Sequence, residues 1–238
     1  YFKWTSGDEI LISVVGFPTT LNPVIQAGLK PVFVDIEYNT LNFDLDELIK
    51  KITPNTKAIF VSPVLGNPPD MDRLIEIAKT HKLEIIMDGC DSYGSKWNGK
   101  QLDEYAIATS CSFYPAHHIT TGEGGMITTN DDNLAERISQ LRNHGASISE
   151  EQRHHGPKPY ILADFNIMGF NYRMTDIQGA VGAVQLGKLD QFIDERDKWA
   201  KYYEEQLKDI PWLRTPEVPN GYKHGWQSYV TYIDEKIA

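Results

Sequence analysis

The feature that most constrains this chain is a rhythm. Short runs that are apolar throughout alternate with segments that are apolar on one face only. The runs Ile10–Val15, Pro31–Val34, Ala58–Val61, Leu83–Met87 and Ala106–Phe113 are rich in β-branched residues and read as strands. Between them, Met71, Leu74, Ile75 and Ala78 form one helical stripe, and Leu134, Ile138 and Leu141 form another, with Gly145 as a C-terminal stop. Strands apolar on both faces and separated by amphipathic helices require a mainly parallel sheet covered on both sides, hence an α/β fold.

The rhythm lapses between Ala146 and Asn166, a polar stretch holding Pro157 and Pro159 that reads as a long excursion. From Thr175 to about Leu207 the pattern returns as one or two long helices, with Ile177, Ala180, Val181 and Val184 along one face. Pro211, Pro216 and Pro219 then interrupt the chain, and Tyr229–Ile233 reads as a new strand. A strand near the start with no helix before it, and a stop soon after a strand, suggest the middle of a longer protein.

Composition narrows the partners. The formal net charge of −10 opposes a phosphate backbone, so nucleic acid is not the expected partner, and an anionic ligand must be held by local groups against the overall field. No apolar run approaches the ~20 residues that span a bilayer, and no signal peptide opens the chain. Two cysteines cannot make a disulfide framework, and a reducing cytoplasm is the simplest location.

Open parallel sheets bind ligands at the carboxyl ends of their strands. Phe17 follows the first strand, Asp88 ends the fourth, and Ser112-Phe113-Tyr114-Pro115-Ala116-His117-His118 follows the fifth. Taken singly these residues are ambiguous. A strand-ending Asp can cap a helix, take a phosphoryl group or bind a metal; a loop histidine is commonly solvated; the cysteines form no CxxC, so no metal site is expected. Gly122-Glu123-Gly124-Gly125 before Met126-Ile127 reads as a turn into a strand.

In combination they are specific. The order Asp88, Ser112, His117, Gly122–Gly125 resembles the DegT/StrS-type sugar aminotransferases, which are pyridoxal-phosphate enzymes of the aspartate-aminotransferase fold (fold type I). Gly7-Asp8-Glu9, Phe17-Pro18-Thr19-Thr20, Pro31–Asp35, Leu65-Gly66-Asn67-Pro68 and the stretch Gly169 to Asp176 carry the same resemblance. It implies a large cofactor-binding domain over 1–208, lacking its N-terminal part, and the start of a small α+β domain over 209–238.

The departure from the family pattern is as informative. Where family aminotransferases carry Ser-Phe-x-x-x-Lys, with a lysine that forms an imine to the cofactor, this chain has His117. Imidazole forms no stable imine, so an ordinary transaminase would lose its cofactor anchor and its proton shuttle. His in a Tyr-Pro-Ala-His-His-Ile-Thr context resembles the 3-dehydratases of CDP- and GDP-linked 4-keto-6-deoxyhexoses, which hold pyridoxamine phosphate non-covalently. A histidine titrating near neutrality suits the base of such a reaction.

The resemblance assigns Asp88 to the cofactor's ring nitrogen, Asp91 to the neighbourhood of its ring hydroxyl, Phe17 to stacking on the ring, and Ser112 to its phosphate. It assigns Asn171 to the phosphate of a neighbouring subunit, which implies a homodimer with shared sites. Phe17 could instead be core, Asn171 a loop tie, Ser112 a backbone cap, and His118 the base if the correspondence slips by one residue. Cys90 matches one ligand of the iron–sulfur cluster in the CDP-type enzyme, but its other three have no counterparts after Gly145, so no cluster is expected and an amino donor such as glutamate recharges the cofactor. The product would be a dideoxysugar for surface polysaccharide. The competing readings are a nucleotide-ketosugar aminotransferase using Lys96 or Lys100, and a non-catalytic relative.

Overall fold

The structure, a computed structural model, describes residues 1–148, 152 and 164–237. Most of the excursion expected between Ala146 and Asn166 lies outside these residues.

Six strands build the main sheet: β1 (Glu9–Ser13), β2 (Lys30–Val34), β3 (Thr56–Val61), β4 (Glu84–Asp88), β7 (Ala108–Ser112) and β8 (Gly125–Thr128). Their order is β2-β1-β3-β4-β7-β8, parallel from β2 to β7 with β8 antiparallel at the edge. The sheet is covered on both faces, as the unbroken apolar runs require. Leu11 lies among Val34, Ile59, Val61, Met71, Leu74 and Met87 on one side, while Ile10 and Ile12 meet Val24 and Ala58 on the other. The covering helices are α1 (Pro18–Gln26), α2 (Leu45–Lys50), α3 (Met71–His81) and α4 (Asp132–Arg142).

Local chemistry sets the helix ends. Asp70 accepts from Arg73 N at 3.0 Å and starts α3; Asp131 accepts from Leu134 N at 2.8 Å and starts α4. Lys82, left-handed at φ 56°, ends α3. The buried stripe of α3 is Met71, Leu74, Ile77 and Ala78; Ile75, expected there, is only partly buried, because i+6 follows i+3 onto the core side of this short helix.

The long C-terminal pattern resolves into two helices, α5 (Asp176–Leu186) and α6 (Leu189–Leu207), broken at Gly187-Lys188. Thr175 opens α5 with a capping box to Gln178. The expected apolar face of α5 is not buried: none of its residues is, and Ile177 is 79% exposed. The strand expected over Tyr229–Ile233 is only Tyr232–Ile233 (β11), paired with Leu213–Arg214 (β9). A small three-stranded sheet joins β5 (Lys96–Trp97), β6 (Lys100–Gln101) and β10 (Tyr222–Lys223). No helix among the described residues is long and apolar enough to cross a membrane.

Candidate active site

The strand order reverses about β1: β2 lies on one side, and β3, β4 and β7 follow on the other. The crevice at the carboxyl ends of these strands is where an open α/β sheet takes its ligand. Phe17 stands just beyond β1, Asp88 ends β4, and Ser112 ends β7, two residues past the Ser110 that pairs with Asp88.

Asp88 is buried at 8% exposure. It caps no helix. Its Oδ2 accepts the Thr20 hydroxyl at 2.5 Å, and its Oδ1 is held more loosely by Cys90 N at 3.3 Å and the Ser110 hydroxyl at 3.4 Å. Thr20 lies in the first turn of α1, where its N–H bonds the Phe17 carbonyl at 3.0 Å. One turn of helix therefore couples Phe17 to the carboxylate. No ion pair engages Asp88 among the described residues. Burial, then the charge of Asp88, push the Cys90 thiol well above its ordinary value, so the carboxylate has a protonated thiol as neighbour. Cys111 is half-buried, and burial raises its thiol to about 11.

The loop after β7 is stitched tightly. Phe113 N bonds Gly124 O at 2.9 Å, and the Phe113 carbonyl accepts from Thr121 N at 2.9 Å and the Thr120 hydroxyl at 2.8 Å. Gly125 follows without a side chain because a Cβ there would lie 2.8 Å from Cys111 O. The loop turns at Tyr114, whose carbonyl accepts from His117 N at 3.0 Å. His117 Nδ1 then lies 3.2 Å from Asp91 Oδ1, within ion-pair range but off the line of a hydrogen bond. Asp91 thus meets the histidine, a contact sequence reasoning missed because the two sit on different loops. The Ser112 hydroxyl oxygen accepts from Tyr114 N at 3.2 Å, and its proton has no acceptor among the described residues.

His118 is 4% exposed, with Nε2 2.7 Å from the Gly225 carbonyl. Burial pushes it down to about 4, a neutral and structural histidine. Phe17, by contrast with a core residue, is 72% exposed beside a hollow lined by Pro18, Thr20, Leu21, Phe33 and Phe60. Asn171 lies apart from this cluster: its Oδ1 accepts from Arg173, and its backbone bridges to Asn143. Lys96 and Lys100 stand in the β5–β6 hairpin, where Lys96 pairs with Lys223 and Gln101.

Among the described residues, a buried carboxylate with no cation beside it, an exposed aromatic ring one helical turn away, a hydroxyl with an unused proton and an imidazole suit a pyridoxal-type ring. The carboxylate suits a protonated pyridine nitrogen, and the aromatic suits a flat face.

Residues 2–238 match the DegT/DnrJ/EryC1/StrS aminotransferase family, and the chain belongs to it. It is 38% identical over 224 residues to dTDP-4-dehydro-2,6-dideoxy-D-glucose 3-dehydratase of Saccharopolyspora spinosa, covering 88% of this chain and 48% of that one. It is 38% identical over 233 residues to GDP-perosamine synthase of Caulobacter vibrioides, covering 98% and 60% respectively. The solved E. coli GDP-4-keto-6-deoxy-D-mannose-3-dehydratase with bound hydrated PLP shares the fold at a TM-score of 0.86 and 32% identity, covering 96% of this chain and 60% of that one. The fold is that of the type I pyridoxal-phosphate enzymes. The chain spans about half the length of the curated relatives it matches.

Proposed function

We propose that this chain belongs to an enzyme that removes the C3 hydroxyl of a nucleotide-linked 4-keto-6-deoxyhexose, with His117 as its base. The observation that carries the reading is the imidazole itself. By the resemblance it stands in the place of the family's lysine; in the structure it lies beside Asp91, while Lys96 and Lys100 sit in a separate hairpin.

Pyridoxamine phosphate, when bound, supplies the amine and the electron sink that let a hydroxyl leave beside the sugar's ketone. Asp88 would hold the ring nitrogen's proton, Phe17 would pack against the ring, and Ser112 would donate to the phosphate. Asp91 faces Nδ1 of His117 at 3.2 Å, which leaves Nε2 as the atom that would take the proton from the cofactor's methylene as the C3 hydroxyl departs.

Two thiols in the sequence fall short of the four that usually anchor an iron–sulfur cluster, which supports cluster-free chemistry with an amino donor such as glutamate. The domain reading follows the family: 1–208 for the cofactor and 209–238 opening a smaller domain. Exposed Phe170 and Tyr172 adjoin Asn171 in the sequence and, with exposed Ile177 and Val184, support a homodimer in which Asn171 serves the neighbouring site; the reducing, cytoplasmic location remains the reading of the cysteine count.

The perosamine synthase relative favours a second reading, amino transfer to the same class of ketosugar. Borohydride reduction of the loaded, full-length protein separates the two. Dehydration through His117 leaves no cofactor bound to protein, whereas a lysine imine becomes a permanent attachment. Turnover of a GDP-linked 4-keto-6-deoxyhexose falls about 10²-fold or more in His117→Asn if the base is assigned correctly.

A further inference from the structure

The backbone on both sides of His117 is fastened by a distant turn, residues His224 to Gln227. Gln227 Nε2 donates to the Ala116 carbonyl at 3.0 Å, across 111 residues. His118 Nε2 meets the Gly225 carbonyl at 2.7 Å, across 107 residues. A carbonyl oxygen can only accept, so His118 carries its proton on Nε2 and its Nδ1 is bare; that nitrogen is buried without a partner.

The turn is itself held rigidly. Gly225 N bonds Gly66 O at 3.0 Å, and Gln227 N bonds Leu65 O at 2.9 Å. Arg196, on α6, donates to the carbonyls of Trp226 at 2.8 Å and Gln227 at 2.7 Å. Trp226 adopts a positive φ of 54° and stacks on His224 with ring centroids 3.8 Å apart. There is no slack around it. A Cβ at Gly225 would lie 2.6 Å from Tyr93 O, and one at Gly66 would lie 2.7 Å from Asp91 O. The same turn therefore presses against the loop that carries Asp91 and grips the loop that carries His117.

We propose that the His224–Gln227 turn is a positioning element for the catalytic histidine, with Gln227 and His118 as the positioning residues that hold the His117 ring against Asp91. The proposal rests on the reading of His117 as the base. Neither residue touches the reacting atoms; each acts through the peptide adjoining His117.

The test uses the full-length, cofactor-loaded protein with ¹⁵N-labelled histidine. Gln227→Glu keeps the side chain's shape but deletes the donor to Ala116 O. His118→Asn lacks the reach of Nε2, whereas His118→Gln places an amide N–H near it. The expected result is one ordered tautomer for the His117 ring in the parent and in His118→Gln, and a broadened or averaged ring signal in Gln227→Glu and His118→Asn. With a GDP-linked 4-keto-6-deoxyhexose, Gln227→Glu lowers kcat tenfold or more and leaves KM within twofold. A His117 spectrum unchanged in both Gln227→Glu and His118→Asn overturns the proposal, as does parental kcat in both. His117→Asn keeps the two ideas apart. If it is as active as the parent, the base is misassigned, and the ring spectra alone decide the positioning.

Discussion

At the scale of residues, the site depends on polar groups buried against particular partners. Asp88 is one: the Thr20 hydroxyl satisfies its Oδ2. Thr20→Val keeps the volume and removes that donor from a buried carboxylate. It is expected to cost about 1–3 kcal/mol in urea unfolding of the cofactor-free protein, because the oxygen loses its partner without regaining water. His118 and His224 form a second case, buried as neutral rings and pushed down to about 4 and about 3. Burial is the main cause for each. Arg196 and His117 further disfavour a charge on His118, which the Gly225 carbonyl and Asp91 partly offset; His118 opposes and Asp197 favours a charge on His224. In the unfolded chain both rings titrate near 6.5. Between that value and about 4 the unfolded chain binds more protons than the native one, so stability falls as pH falls through this window and is unaffected by these rings above it. Urea midpoints from pH 7.5 to 4.5 check this, and His118→Gln is expected to flatten the dependence. Little of this was visible beforehand. Asp88, Ser112 and His117 stand out because they end strands or open loops, but the Thr20 and Asp91 contacts join residues on different connections, and no spacing in the sequence announces them.

At the scale of elements, periodicity located the parallel strands and the long helices because each must hide apolar side chains from water. It was weaker on where those faces point. Ile75 and Ile77 are equally apolar, and only the docked helix selects Ile77. Helix α5 is the clearer instance. Its stripe of Ile177, Val181 and Val184 is real, yet all three are exposed in the isolated chain. A pattern of apolar residues says that something covers a face, and not whether the cover comes from the same chain. If a second copy covers it, Ile177→Asp combined with Val184→Asp converts the dimer to monomer in sedimentation velocity and leaves the far-ultraviolet circular dichroism unchanged, because neither residue contributes to the core of its own subunit.

At the scale of the whole molecule, the central sheet is both scaffold and address. Leu11 sits at its middle with no exposed surface, packed on one face with Val34 and Ile59. Leu11→Ala is expected to lower unfolding free energy by about 2–5 kcal/mol, a loss read in urea titration and shared by every strand end that carries a site residue. The reversal of strand order puts Phe17, Asp88 and Ser112 along one edge although 95 residues separate the first from the last. That much follows from the fold class. The grip of residues 225–227 on the His117 loop does not, since it depends on how a non-repetitive turn settles onto two others.

That grip also has a consequence in time. Ala116 leaves the ribosome 111 residues of synthesis before Gln227 does. During that interval the nascent sheet can assemble from its local βα units, but its imidazole has no fixed bearing. On the positioning reading, the imidazole therefore gains its bearing later than the sheet that carries it.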